Sequence, residues 1–115
     1  MVHATNTRWK EYKAFDSHIG KHTVRIDTAG EYGDDSGAGP KQLLLSALAG
    51  CTGMDVVSLF KKMRIPFTGL EINVTADLTE SHPKVYSEIR LVYRVFGKGL
   101  DHTKVQKAVD LSQEK

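Results

Sequence analysis

Residues 39–57 read GPKQLLLSALAGCTGMDVV, a proline-started apolar run with one thiol among small residues. Pro40 suits the first turn of a helix, where its missing N–H leaves no bond unmade. From there Leu43, Leu44, Ala47, Leu48, Cys51, Val56, Leu59, Phe60 and Met63 keep a wide apolar helical face. The pattern predicts a helix over 41–64, stopped by Pro66. At 1.5 Å per residue it would be roughly 36 Å long. Leu45, Ala49, Met54 and Val57 add apolar positions off that stripe. A helix apolar nearly all round needs burial on most sides, more than one chain of 115 residues supplies, and a partner subunit is the natural solution.

Upstream, residues 7–15 and 22–28 read as strands joined by a turn at Ile19-Gly20-Lys21. In the second, Val24 and Ile26 alternate with Thr23, Arg25 and Asp27. Residues 30–39, GEYGDDSGAG, are glycine-rich and acidic and predict a mobile loop. Downstream, Leu70, Ile72, Val74, Ala76 and Leu78 alternate strictly with polar residues. Residues 85–96 do the same through Ile89, Leu91, Tyr93 and Val95. The connection TESHPK, residues 79–84, is short enough for an antiparallel hairpin. After Gly97-Lys98-Gly99, Asp101 is a suitable N-cap for a last helix bearing Val105, Ala108, Val109 and Leu111. The order ββ–α–ββ–α, with strands and helices segregated, predicts an α+β fold.

With 40% apolar and 26% charged residues the composition is that of a globular protein. A net charge of +2 and dispersed cations argue against a nucleic-acid partner. Lys61, Lys62 and Arg64 sit where a helix C-terminus favours positive charge. The run 43–60 carries Ser46, Thr52, Asp55 and Ser58, so a soluble buried helix fits it better than a membrane span. A single cysteine and no apolar leader in MVHATNTRWKEYKAF point to the cytoplasm.

Chemistry centres on Cys51. Taken alone, an unpaired cysteine is more often a small buried core residue than a nucleophile. Cys51 lies about three turns into the helix, too far from Pro40 to draw on the helix dipole. Asp55, four residues on, would oppose thiolate formation, so an activating cation must come from elsewhere. The five histidines form no cluster: His18 and His22 have a metal-compatible spacing, but Gly20 lies between them in a turn. The acidic loop lacks the GK[ST] ending of a phosphate loop. Asp34-Asp35 read as solvated. Neither a metal nor a cofactor is called for.

The run GAGPKQLLLSALAGCTGMDVV resembles the OsmC/Ohr superfamily of thiol-dependent hydroperoxide reductases, and most closely its OsmC-like branch. The ending KAVDLSQEK, residues 107–115, is similar to the segment that precedes a Tyr-Cys-Ser element in that branch. The resemblance implies antiparallel strands around a long central cysteine-bearing helix in an intertwined homodimer. It makes Cys51 the peroxidatic thiol, oxidised by a small hydroperoxide and reset by a thiol reductant in an oxidative-stress or detoxification role. Two departures stand out. Family members carry a glutamate ten residues before the cysteine, paired with an arginine that polarises the thiol; here position 41 is lysine, and Arg25 is the nearest upstream arginine. The second, resolving cysteine is expected just past Lys115, so residues 1–115 read as one OsmC-like domain lacking its C-terminal portion. Two readings compete with the redox one: a non-enzymatic homodimer binding a small apolar ligand in the inter-subunit cleft, and a truncated product without a function of its own.

Overall fold

A computed structural model describes residues 2–80 and 85–113. Among the described residues, two helices and two antiparallel sheets give the α+β class expected from the strand and helix patterns. The chain divides into two compact units, Met1–Leu44 and Leu45–Lys115.

The first unit holds a three-stranded sheet of β1 (Asn6–Glu11), β2 (Ala14–Ile19) and β3 (His22–Ile26), in the order β1-β2-β3. The single strand expected over 7–15 is therefore two, and the element order is βββ–α–ββ–α. The chain reverses at Tyr12-Lys13, where Tyr12 adopts φ 49° and Glu11 faces Ala14. Trp9 secures the reversal by donating its indole N–H to the Tyr12 carbonyl at 2.9 Å. The β2–β3 turn falls at Gly20-Lys21 as expected, with Gly20 at φ 60°, a conformation glycine takes without a Cβ clash.

β3 ends at Ile26 rather than at residue 28, because Asp27 turns inward and is 2% exposed. Its carboxylate accepts the Thr28 N–H at 2.7 Å, the Ser36 N–H at 3.1 Å and the Ser36 hydroxyl at 2.6 Å. Its own N–H donates to the Ala38 carbonyl at 3.1 Å. The glycine-rich loop, expected to be mobile, is thereby pinned along β3. A Cβ on Gly37 would fall 2.3 Å from the Arg25 carbonyl oxygen, so only glycine fits that approach. The pinned loop delivers the chain into α1 (Pro40–Lys62) through a capping box. The Gly39 carbonyl accepts the Leu43 N–H at 3.0 Å, while the Gln42 side chain reaches back to the Gly39 N–H at 3.1 Å.

In the second unit α1 ends in a Schellman motif. Arg64 adopts φ 57°, Ile65 N–H donates to the Phe60 carbonyl at 2.9 Å, and Arg64 N–H to that of Lys61 at 3.2 Å. The core is built on this corner: Val56, Phe60, Ile65 and Ala108 are buried, with Leu59, Met63, Phe67, Leu70, Tyr93 and Val95 packed around them. The Phe60 and Phe67 rings meet edge to face, centroids 5.1 Å apart. Burying a side chain of this size is worth about 1.5–3 kcal/mol.

β4 (Gly69–Leu78) pairs with β5 (Tyr86–Phe96). The alternation read from the sequence is the pairing itself: Leu70 faces Val95, Ile72 faces Tyr93, Val74 faces Leu91 and Ala76 faces Ile89. Thr79 N–H donates to the Val85 carbonyl at 2.8 Å and so begins the connection; residues 81–84 of the expected hairpin lie outside the described residues. α2 (His102–Gln113) starts on Asp101, whose carboxylate caps the Thr103 N–H at 2.9 Å.

Candidate functional site around Cys51

α1 places Cys51, and the way the helix meets β4 decides which way the thiol points. A Cβ on Gly53 would lie 3.1 Å from Cδ1 of Ile72, so this side of α1 rests on the sheet. Cys51 is two residues earlier, about 200° around the helix. It is exposed.

Its neighbours one turn away share that side. Leu48 is 37% exposed, Met54 is 76% exposed, and Ala47 is exposed with them. Thr52 turns its hydroxyl back to the Leu48 carbonyl at 2.7 Å, which satisfies it within the helix. Gly50 has open space where a side chain would go. The thiol thus sits in an apolar, small-residue surface from which a small molecule is not sterically excluded.

This corrects the stripe read from the sequence. Of its members, Val56 and Phe60 are buried, but Leu44, Ala47, Leu48 and Cys51 are exposed. Leu43, Leu59 and Met63 of the stripe are half-buried, as are Leu45, Ala49 and Val57 off it. Within a single chain Cys51 is exposed rather than part of the core. By length and composition α1 is apolar enough to cross a membrane, yet only 17% of its most apolar window is buried.

The expected helpers, Lys41 and Arg25, belong to the first unit. Lys41 is exposed in the first turn of α1. Arg25 is engaged within its own unit, where its guanidinium pairs with Asp16 on β2 and donates to the Ser36 hydroxyl at 3.2 Å. That pairing holds the Asp16 carboxyl below the usual carboxylate range. Asp55 is half-buried on α1. Asp34 and Asp35 are exposed in the loop.

The sequence reading missed Asp27. The Ser36 hydroxyl, followed by the main-chain N–H groups of Thr28 and Ser36, draws its carboxyl down to about 2. An aspartate at a strand end, just before a Gly/Ser-rich run, is the available signal, since such side chains organise turns by accepting main-chain N–H groups.

The family model described as OsmC-like protein matches residues 33–115, which contain α1 and everything after it. Protein YhfA of Escherichia coli K12 is 35% identical over 94 residues, covering 82% of this chain and 68% of that protein. The crystal structure of a hypothetical protein from Aquifex aeolicus VF5 superposes with a TM-score of 0.85 at 30% identity, over 100% of this chain and 81% of that one. An OsmC-like protein from Mycoplasma pneumoniae shares the fold with a TM-score of 0.88 at 18% identity, over 100% of this chain and 82% of that one. The match covers most of the chain and includes the cysteine-bearing helix: the chain belongs to the OsmC-like protein family.

Proposed function

We propose that the protein is a thiol-dependent hydroperoxide reductase that uses Cys51 as its nucleophile. One observation carries this reading: in a chain of this family, the single cysteine is exposed on the side of α1 turned away from the sheet. A buried thiol would have argued for a packing role.

The chemistry needs only this sulfur and external thiols. The Cys51 thiolate attacks the distal oxygen of ROOH; the S–O bond forms as the O–O bond breaks, and the alkoxide leaves as ROH with a proton from solvent. Cys51 becomes a sulfenic acid. A reductant thiol then displaces water from that sulfur, giving a mixed disulfide. A second reductant thiol opens it, returning Cys51 and releasing an oxidised dithiol. Residues 1–115 hold one cysteine, so both reducing equivalents in this scheme are written as external thiols.

The working form in this reading is a cytoplasmic homodimer. Leu44 at 65%, Leu48 at 37% and Met54 at 76% exposure make an apolar surface that a soluble monomer rarely leaves open. A second copy packed against α1 would cover it and enclose the thiol in an apolar setting. Cys51→Ser tests the assignment. Dithiothreitol-dependent consumption of cumene hydroperoxide should vanish with the fold intact, and activity that survives the change assigns the chemistry elsewhere. The rival reading, a ligand-binding dimer, is favoured instead if the unmodified protein consumes no hydroperoxide.

A further inference from the structure

Cys51 is not the only sulfur on its side of α1. Met54 follows it by three residues in the same helix, so the two side chains are surface neighbours, with Cβ atoms about 5–6 Å apart. Met54 is 76% exposed, more than Leu44 or Leu48 on that helix. Gly53, between the two in sequence, is the residue turned to Ile72. Met63, just past the end of α1, has the opposite setting: it is half-buried and packs on the core of Val56, Phe60, Ile65 and Ala108. Two thioethers of one unit therefore differ in access, and the accessible one stands beside the thiol.

We propose that Met54 is a second oxidation site, through which excess hydroperoxide slows the Cys51 reaction. The Met54 sulfur attacks the distal oxygen of ROOH; the S–O bond forms as the O–O bond breaks. The proton of the attacked oxygen passes through solvent to the alkoxide, which leaves as ROH, and the thioether becomes a sulfoxide. The reverse step takes two thiols of a methionine sulfoxide reductase, which return the thioether and release water and a disulfide.

This rests on the reading of Cys51 as nucleophile, and access to Met54 follows from that reading. A hydroperoxide that reaches the Cys51 sulfur arrives within one helical turn of Met54, also where a second copy covers the surface around them. The order follows from nucleophilicity: a thiolate is the stronger nucleophile, so Cys51 reacts at low hydroperoxide and Met54 in excess. The effect follows from polarity. Ala47, Leu48 and Met54 make the thiol's surroundings apolar, and a sulfoxide puts a polar oxygen among them, a change that disrupts apolar packing.

The test treats the full chain with about a hundredfold excess of cumene hydroperoxide, with dithiothreitol present throughout, followed by peptide mass spectrometry and a turnover assay. Met54 should gain one oxygen at least tenfold faster than Met63, and the difference should vanish in urea. Turnover should fall at least fivefold and return after methionine sulfoxide reductases, which do not act on an over-oxidised cysteine. Met54→Leu, treated alike, should keep most of its own starting turnover. Met54 oxidised no faster than Met63, a Met54 sulfoxide with undiminished turnover, or an equal loss in Met54→Leu overturns the proposal. Where that variant does not fold, the reductase recovery of the unmodified protein decides. A protein without turnover before any treatment overturns instead the reading of Cys51, and the proposal with it.

Discussion

Gly53 of α1 meets Ile72 of β4 so closely that a Cβ on the glycine would stand 3.1 Å from the isoleucine Cδ1. Three residues earlier on the same helix, Gly50 meets nothing within 4 Å. One glycine marks the side of the helix that rests on the sheet, and Cys51 points the other way.

Substituting the two glycines should therefore give different results. An alanine inside a helix is favoured over glycine by about 1 kcal/mol. Gly50→Ala should raise stability by up to about that amount, because it meets no obstacle. At Gly53 the same gain is offset by the few tenths of an ångström that Ile72 must yield, so Gly53→Ala should be near neutral. Urea unfolding of both variants checks this; a loss of stability at Gly50 would contradict the open surroundings of that position.

At the far end of α1, Arg64 holds the left-handed position of the Schellman motif at φ 57°. Such a conformation costs a non-glycine residue about 1–2 kcal/mol, part of which glycine loses again as chain entropy. Arg64→Gly should stabilise the fold by about 1 kcal/mol, read as a higher urea midpoint with an unchanged slope. On the same corner, Phe60→Ala removes the centre of the core and should cost about 3–5 kcal/mol.

Acid should release the pinned loop. The Asp27 carboxyl is drawn from the usual 3.8 to about 2 by the Ser36 hydroxyl and two main-chain N–H groups. A carboxyl lowered on folding contributes stability that is complete above its unfolded value and lost as pH falls through the folded one. The loss therefore falls between about pH 4 and pH 2. Asp16, held down by Arg25, and Asp77, held down by Arg90, act in the same direction. Asp27→Asn should flatten part of the acid limb in a stability-against-pH profile and lower the midpoint at neutral pH; an unchanged profile would remove Asp27 from the account.

The parts that could be read from sequence are those set by period and by strong local chemistry. Leu70 to Ala76 and Ile89 to Val95 alternate because one sheet face is packed, and they pair in the register that alternation demands. Pro40 and Asp101 announce helix starts, and Pro66 follows the end of α1. The reversal at Tyr12-Lys13 was not legible, since neither residue is a usual turn former and a Trp9 hydrogen bond helps to hold it. In sequence Asp27 reads as one more outward polar residue, because its partners lie nine residues away in Ser36 and next door in Thr28. The orientation of α1 was hidden for another reason: a helix apolar on nearly every side gives no periodic clue to which side meets the sheet. Gly53 against Ile72 supplies that clue.

The exposed side of α1 should be covered by a second copy. Sedimentation in detergent-free buffer at micromolar concentration should show a dimer. Leu48→Glu, placing a charge on that surface, should shift it to monomer; a folded monomer in the unmodified protein would contradict the dimer.

The central claim concerns the sulfur of Cys51, and mass spectrometry after a single equivalent of cumene hydroperoxide tests it most directly. The account predicts stoichiometric addition of one oxygen at Cys51, trapped by a sulfenic-acid reagent and removed by dithiothreitol. A Cys51 that stays a free thiol while the hydroperoxide remains unconsumed would contradict it.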